Sequence, residues 1–476
     1  MNFYTDLEKF ADRYCVIDPQ GIPYTYQKLV EESDNFASRL QCNKKVLAFI
    51  LCSNNIESIV AYLGILRSQN AAILLPSDID EKLLSNLIKV YRPDYLWGPK
   101  EKTREIENFE IEETCHIFKN YRLQHSTVEN NIIINSKLAL LISTSGTTGS
   151  PKMVRLSGNN LESNAASIVD SLKIEAEDRP VTSLPMHYSY GLSVINSHLK
   201  VGATILLTND SVVTRSFWDF FNKYKATSFS GVPYTYQILK NIRFYKMSLP
   251  GLKTITQAGG RLAPKLALEF VKYSHERGID FYIMYGQTEA TARISCLPPK
   301  YNLIKYKSVG FAINHGEIEL IDSDSKPITK PGIDGELVYK GPNVMLGYAE
   351  HEKDLEKDDD LKGVLKTGDI AHFDDEGLIY ITGRKKRFIK VFGDRINLDE
   401  IESYLQYKGY ACLCGGKDNL LSIATTQTGM AREIKNIVVK KYKFHHSAVK
   451  VHEVQEFLKS SSGKTQYEQT FERLLN

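Results

Sequence analysis

Leu138-Ala139-Leu140-Leu141-Ile142 is an apolar run suited to a buried strand, and it ends in a segment that no core can use. Ser143 to Lys152 holds six hydroxyls, two glycines, a proline and a lysine. Such a segment buries almost nothing and cannot hold a helix. It does suit the grip on a polyphosphate. Gly146 and Gly149 let the backbone turn its N–H groups toward one anion. The hydroxyls of Ser143, Thr144, Ser145, Thr147 and Thr148 add donors, and Lys152 adds a positive charge. A Ser/Gly linker is the bland alternative, but linkers rarely sit between an apolar strand and a lysine followed by a helical pattern. Nor is this the Gly-x-x-x-x-Gly-Lys-Ser/Thr loop, because Ser-Pro-Lys follows Gly149. At the one Gly-Lys-Thr, Gly463 to Thr465, Leu458 stands where the first glycine belongs.

At 476 residues the chain exceeds what one hydrophobic core supports, so two or more domains are expected. The composition, 42% hydrophobic and 25% charged, is globular, and a formal charge of +3 gives no reason to expect nucleic acid or an anionic membrane. The basic cluster Arg384 to Arg387 lacks the interleaved aromatics of a nucleic-acid surface. Seven cysteines, with no basic-then-apolar start at Met1 to Asp6, predict a reduced, cytoplasmic protein. Cys412 and Cys414 share one face of a predicted strand, which reads as burial rather than a metal site. No apolar run approaches the roughly 20 residues that span a bilayer.

Strands and helices alternate along the first half. Strands are predicted at Val46–Leu51, Ala71–Leu75 and Leu138–Ile142, and helices at Ile56–Arg67 (capped by Asn54-Asn55), Glu81–Val90 and Ser157–Leu172. This pattern predicts parallel sheets covered by helices. Val181–Pro185, Ala203–Leu207, Thr227–Pro233, Thr254–Gly260 and Asp280–Gly286 read as further strands or strand ends. Ligands of open parallel sheets sit beyond the carboxyl ends of the strands, so the glycine-bearing ends at 231, 259–260 and 286 are candidate walls of one site. From about Asn302 the texture changes to short strands and turns, with the charge run Glu350–Asp360 read as a solvated loop. Thr367-Gly368-Asp369 and Gly377–Arg384 form a hairpin-like pair. The strongest candidate boundary is Arg384 to Arg387.

Five separated stretches then align in order: 143–152, Tyr285-Gly286-Gln287-Thr288-Glu289, Thr367-Gly368-Asp369, Gly383-Arg384 and Gly463-Lys464. Together they resemble the adenylate-forming superfamily of acyl-CoA synthetases, peptide-synthetase adenylation domains and luciferases, from about Gly21 to Lys464. The resemblance implies an α/β fold: a large N-terminal domain (1–385) of helix-covered sheets plus a small barrel-like part, and a small mobile α+β C-terminal lid (386–476). It implies ATP- and Mg²⁺-dependent activation of a small carboxylic acid as an acyl-adenylate, then transfer to the thiol of CoA or of a carrier protein. Transfer to an amine is the alternative. Lys464 matches the catalytic lysine; with an anion attacking an anion, positive charge must stand between them. Glu289 matches the Mg²⁺ carboxylate and Thr288 the hydroxyl beside it, oxygen ligands being what a hard cation prefers. Tyr285 and Gly286, with the backbone of Ala258, Gly259 and Gly260, would flank adenine. Asp369 would hold ribose hydroxyls, and Arg384 the same ribose or a phosphate. Lys386 sits at the hinge position, and Gly393 would join the thiol tunnel after the lid rotates.

The acid is less legible. Pro185 to Gly191 resembles a gating segment of acyl-CoA ligases, with its histidine falling on Tyr188 although His187 is adjacent. Thr182 to Leu199 has no Asp or Glu to pair a substrate ammonium, which favours an acid without a free α-amino group. His187, Tyr188, Gly231 and Val232 are the expected pocket walls. The C-terminal part is shorter than usual in the family, which leaves CoA and a carrier phosphopantetheine equally open.

Overall fold

In a computed structural model of the chain, the described residues are 2–40, 43–104, 106–112, 118–143, 152–385, 387–391, 394–459 and 465–475. The apolar runs become inner strands of two sheets. Leu47–Cys52 is buried at every position and pairs in parallel with Ala71–Pro76 and Tyr95–Pro99. A strand covered on both faces needs apolar side chains in succession. Its two faces still sort by the two-residue period of a strand. Ala48, Ile50 and Cys52 pack with helix Ile56–Arg67, whereas Leu47, Phe49 and Leu51 pack with Leu84 and Leu87 of helix Glu81–Tyr91. Each fully buried side chain of this size is worth about 1.5–3 kcal/mol, which is why helices cover both faces. Asn55 starts the first of these helices by accepting from the Ser58 N–H at 3.0 Å.

Leu138–Ser143 extends this eight-stranded sheet, parallel to Ala71–Pro76 and antiparallel to Met153–Ser157. Ser143 pairs with Met153. The Ser/Thr/Gly segment therefore joins two adjacent antiparallel strands, and a strand rather than a helix comes next. Helix Gly158–Leu172 follows that strand, begun by a reciprocal capping box between Ser157 and Asn160. At the far edge Gly347–Ala349 adds antiparallel to Met153–Ser157, bringing Tyr348 beside Val154.

The second sheet sets three strands side by side in parallel: Ser228–Gly231, Thr254–Gln257 and Asp280–Tyr285. Gly231, Gln257 and Ile283 lie in register, so the three strands end on one edge. Helices Pro233–Asn241 and Pro264–Glu276 cover it, with Phe229, Tyr236, Phe270 and Phe281 in the shared core. Two expectations fail here and nearby. Val181–Pro185 is not a strand: Pro180 and Val181 make only isolated bridges, and Pro180 and Pro185, which lack an N–H, bracket the stretch. The charge run 350–360 is not simply solvated either. Asp354 and Leu355 are buried, and Asp360 accepts from the fully buried Arg155 at 2.7 Å.

Glu317–Ile321, Gly335–Lys340, Val364–Phe373 and Ile379–Arg384 form a four-stranded antiparallel sheet, which includes the hairpin read from the sequence. Beyond it a short ribbon, Phe388–Val391 with Asp394–Asn397, and a three-stranded sheet of Cys412–Lys417, Leu420–Thr425 and Val449–Glu453 pack with helices Leu398–Tyr407 and Ala431–Tyr442. The two apolar clusters there, including the buried Cys412 and Cys414, draw only on residues from 389 onward. No helix among the described residues is long and apolar enough to cross a membrane.

Candidate active site

Three strand ends carry the expected walls. Gly231 and Val232 close the first strand, Ala258, Gly259 and Gly260 follow the second, and Tyr285 and Gly286 close the third. Gly259 adopts φ +79°, a left-handed conformation that favours glycine. The side-chain amide of Gln257 donates to the Gly260 carbonyl at 2.7 Å and fixes the turn. Gly286 has a reason beyond ligand contact: a Cβ there would fall 1.7 Å from the Ala292 carbonyl oxygen. The backbone from 286 to 292 is folded tightly on itself, and this aims Thr288 and Glu289 back toward the strand ends.

Asp369 anchors one side of the cleft. It lies directly across from Arg384 in the antiparallel hairpin and is 3% exposed. Tyr285 Oη donates to its Oδ2 at 2.5 Å, Gln287 Nε2 donates to the same oxygen at 2.8 Å, and Arg384 Nε donates to Oδ1 at 3.1 Å. Burial and the neighbouring Asp369 carboxylate push the Tyr285 hydroxyl well above its ordinary range, so it stays a donor. Three donors fix the carboxylate in place while leaving lone pairs for further hydroxyls.

Glu289 forms the other side. Its Oε1 accepts from Tyr348 Oη at 2.9 Å. The ammonium of Lys152 sits 3.8 Å from the centre of the Tyr348 ring and 3.9 Å from Glu350 Oε1. The last residue of the hydroxyl-rich segment and the motif carboxylate thus meet on one tyrosine. Thr144, Ser145, Gly146, Thr147, Thr148 and Gly149 lie outside the described residues. Their flanks, Ser143 and Lys152, are placed, the first paired with Met153 and the second over Tyr348. Thr288 is buried, and its hydroxyl lies 3.1 Å from Ser189 Oγ. That contact ties the turn to the start of helix Ser189–Val201, which follows His187 and Tyr188. Gly191 permits the approach, since a Cβ there would fall 2.2 Å from the Pro185 carbonyl oxygen. Tyr188 is buried in a cluster with Val232 and Ala258. Burial lowers the His187 ring pKa to about 4, and both its nitrogens are buried without a hydrogen-bond partner.

Lys464, Lys386 and Gly393 also lie outside the described residues. Lys459 and Thr465, which flank the first of these, form an isolated antiparallel bridge. The Lys459 ammonium lies 3.2 Å from the ring centre of Tyr234, two residues past Val232.

The donor set fits a magnesium nucleotide. Among the described residues no group of three or more His, Cys, Asp or Glu side chains could cage a metal. A lone carboxylate at Glu289 is what Mg²⁺ uses when phosphates and waters fill its other positions. Asp369, Gln287 and Tyr285 offer a fixed polar wall for a ribose, and Lys152 offers charge for phosphates. Sequence reasoning missed Tyr348, and it had no means to find it: its partners lie 59 positions away at Glu289 and still further back at Lys152. Gln287 stood inside a recognised motif, yet its bond to Asp369 had no local signal.

A model of the AMP-binding enzyme family matches residues 3–349. This chain belongs to the AMP-binding enzyme family. Among curated relatives it is 27% identical over 422 residues to an oxalate–CoA ligase of Arabidopsis thaliana, covering 84% of this chain and 81% of the relative. It is 32% identical over 271 residues to an indoleacetate–CoA ligase of Aromatoleum aromaticum, covering 56% of this chain and 51% of that one. Among solved structures, the O-succinylbenzoate coenzyme A synthetase of Bacillus subtilis in complex with ATP and magnesium ion superposes with a TM-score of 0.74 at 23% identity, over 99% of both chains. The fold is that of the adenylate-forming enzymes.

Proposed function

We propose that the cleft between Tyr348 and Asp369 holds MgATP and a carboxylic acid, and that Lys464 enters it from the C-terminal unit. The family reaction is this chain's reaction: ATP- and Mg²⁺-dependent activation of a carboxylic acid as its adenylate, then transfer to a thiol. One observation carries the assignment of roles: Lys152 and Glu289 converge on Tyr348, and Glu289 lies four residues after Tyr285, which donates to Asp369.

In this reading Asp369 accepts from the ribose hydroxyls and Tyr285, with Ala258 to Gly260, flanks the adenine. Lys152 and the hydroxyls of 143–148 grip the phosphates. When bound, Mg²⁺ neutralises phosphate charge, and Glu289, oriented by Tyr348, would hold it. Thr288, fixed by Ser189, donates to the phosphoryl oxygen. A carboxylate oxygen attacks the α-phosphorus, the bond to the bridging oxygen breaks, and pyrophosphate leaves. Lys464 stands between the two anions and stabilises the charge that develops. A thiol sulfur then attacks the acyl carbon and AMP leaves. CoA is the acceptor favoured by the names of the relatives; a carrier-protein phosphopantetheine offers the same thiol. The separate apolar clusters beyond residue 389 support a small unit from 386 that turns about Lys386 between the steps, bringing Gly393 to the thiol path. Among the described residues five cysteines are buried free thiols, which supports work in a reducing compartment such as the cytoplasm.

Pyrophosphate exchange with a panel of acids, ATP and Mg²⁺ tests the reading. Lys464→Ala should cut adenylation by about 10²–10³-fold and leave thiol transfer from a preformed adenylate largely intact. Equal loss of both steps would rule out the swinging unit.

A further inference from the structure

Among the described residues two guanidinium groups are buried almost completely, and they are treated in opposite ways. Arg155 is 0% exposed. It donates to the carbonyls of Tyr348, Leu346 and Asp358 and to the Asp360 carboxylate. That is how a structural arginine is held: every donor is used and the charge is paired. Arg293 is 2% exposed, yet among the described residues no carboxylate lies within ion-pair distance. Its Nε is buried without a hydrogen-bond partner. Its guanidinium carbon sits 4.9 Å from the ring centre of Tyr190. The polarisable groups that face it are Tyr190, Cys296 and Tyr188. None of these is an anion at neutral pH, since burial raises all three.

Arginine does not shed its proton to escape burial. A buried guanidinium whose neighbours are neutral phenols and a thiol, with no carboxylate, is costly, and chains keep one where a counter-charge arrives from outside. Its place says which molecule brings that charge. Tyr188, Tyr190, Val232, Ala258 and Cys296 belong to one apolar cluster, which includes Tyr188 and Val232, two of the walls expected for the acid. The Tyr190 hydroxyl is tied to Thr256 at 2.7 Å, one residue short of the strand end, and Thr256 to Ser230 at 2.8 Å. Tyr190 is thus rigid and holds the guanidinium against its face. The backbone that carries Arg293 is fixed by Thr291 and Ala292, both at positive φ (58° and 118°), and by Asn343 Nδ2, which donates to the Arg293 carbonyl at 2.9 Å.

We propose that Arg293 is the specificity-determining residue of the acid pocket and pairs with a second carboxylate on the substrate, so that the enzyme activates one end of a dicarboxylic acid. This rests on the ligase reading above and adds the substrate class to it. The bidentate fork of the guanidinium matches a carboxylate, and the aromatic walls accept the carbon skeleton between the two acid groups.

The test is pyrophosphate exchange with matched pairs: butyrate against glutarate, hexanoate against adipate, benzoate against terephthalate. Thermal midpoints are measured alongside, with and without each acid in the presence of MgATP. Wild-type enzyme should favour at least one diacid over its monoacid by about 10²–10³-fold. Arg293→Met should abolish that preference and the midpoint shift produced by the diacid. Without acid its own midpoint should be equal to or above wild type, because an unpaired buried charge has gone. Arg293→Lys should recover part of the preference. A wild-type preference for monoacids, or an Arg293→Met enzyme that keeps the diacid preference, would overturn the inference while leaving the ligase reading intact. No exchange with any acid in folded protein that MgATP stabilises would overturn both.

Discussion

Tyr348 shows how a single side chain can serve two partners. Its hydroxyl orients Glu289 and its ring face carries Lys152. Burial, and then the Glu289 carboxylate, raise its pKa, so the hydroxyl remains a donor across the working range. Tyr348→Phe keeps the ring under Lys152 and removes only the bond to Glu289. We expect apparent Mg²⁺ affinity in the adenylation step to fall by about 10–100-fold, as when the partner orienting a metal ligand is lost, with little change in thermal stability. A Mg²⁺ titration of the exchange rate checks this. An unchanged titration curve would mean Glu289 is positioned by the turn alone. Tyr348 had no signal in the sequence, because an aromatic after a glycine is common on any strand. Asp369 and Glu289 were legible because each sits in a motif whose neighbours are polar without a structural need.

At the scale of elements, helix Ser189–Val201 couples the pocket to the core. It presents Ser189 to Thr288 at its start and buries His198 near its end, where the ring bonds the Val194 carbonyl at 2.7 Å. Burial lowers the ring pKa of His198, and of His187 just before the helix, to about 4. Unfolded, both would titrate near 6.5. Between those values the unfolded chain binds more protons, so stability present at neutral pH is lost as pH falls from about 6.5 toward about 4. Each histidine contributes up to about 1.4 kcal/mol per pH unit in that window. His198→Gln should flatten the dependence of the thermal midpoint on pH by one proton's worth. A slope equal to wild type would show that carboxylates elsewhere dominate. The helix itself was partly hidden in the sequence. Val181–Pro185 looked like a strand leading into it, but prolines at 180 and 185 deny it a ladder.

For the molecule as a whole, the described residues before 385 hold four sheets and their own apolar clusters, while those from 387 on hold a separate core. Among the described residues, the polar contacts across this boundary include Arg261 with Ser403 at 3.2 Å, the Arg384 N–H with Asp399 at 3.0 Å, Asn397 with the Thr382 carbonyl at 3.4 Å, and Lys459 over Tyr234. Polar contacts of this kind suit the turning unit proposed above. A chain ending at residue 384 should therefore fold, bind ATP with a dissociation constant within about tenfold of the full enzyme, and lose adenylation by about 10²–10³-fold for want of Lys464. Calorimetric ATP binding together with exchange kinetics tests this. Loss of ATP binding in the shortened chain would mean the C-terminal unit builds the nucleotide site rather than serving it.

The order of apolar runs, the capped helices and the polar segment at 143–152 were determined by sequence alone, because strand burial, helix capping and phosphate-binding composition are local properties of neighbouring residues. Five short motif stretches in order named the family. Tertiary structure alone decided that Lys152 and Glu289 share Tyr348, that Gln287 reaches Asp369, and that Arg293 lies dry beside Tyr190 without an acid. Each is a pairing between segments brought together by sheet addition or by a helix packed over strand ends. Whether a buried charge is compensated is a property of its surroundings, which no stretch of adjacent residues encodes.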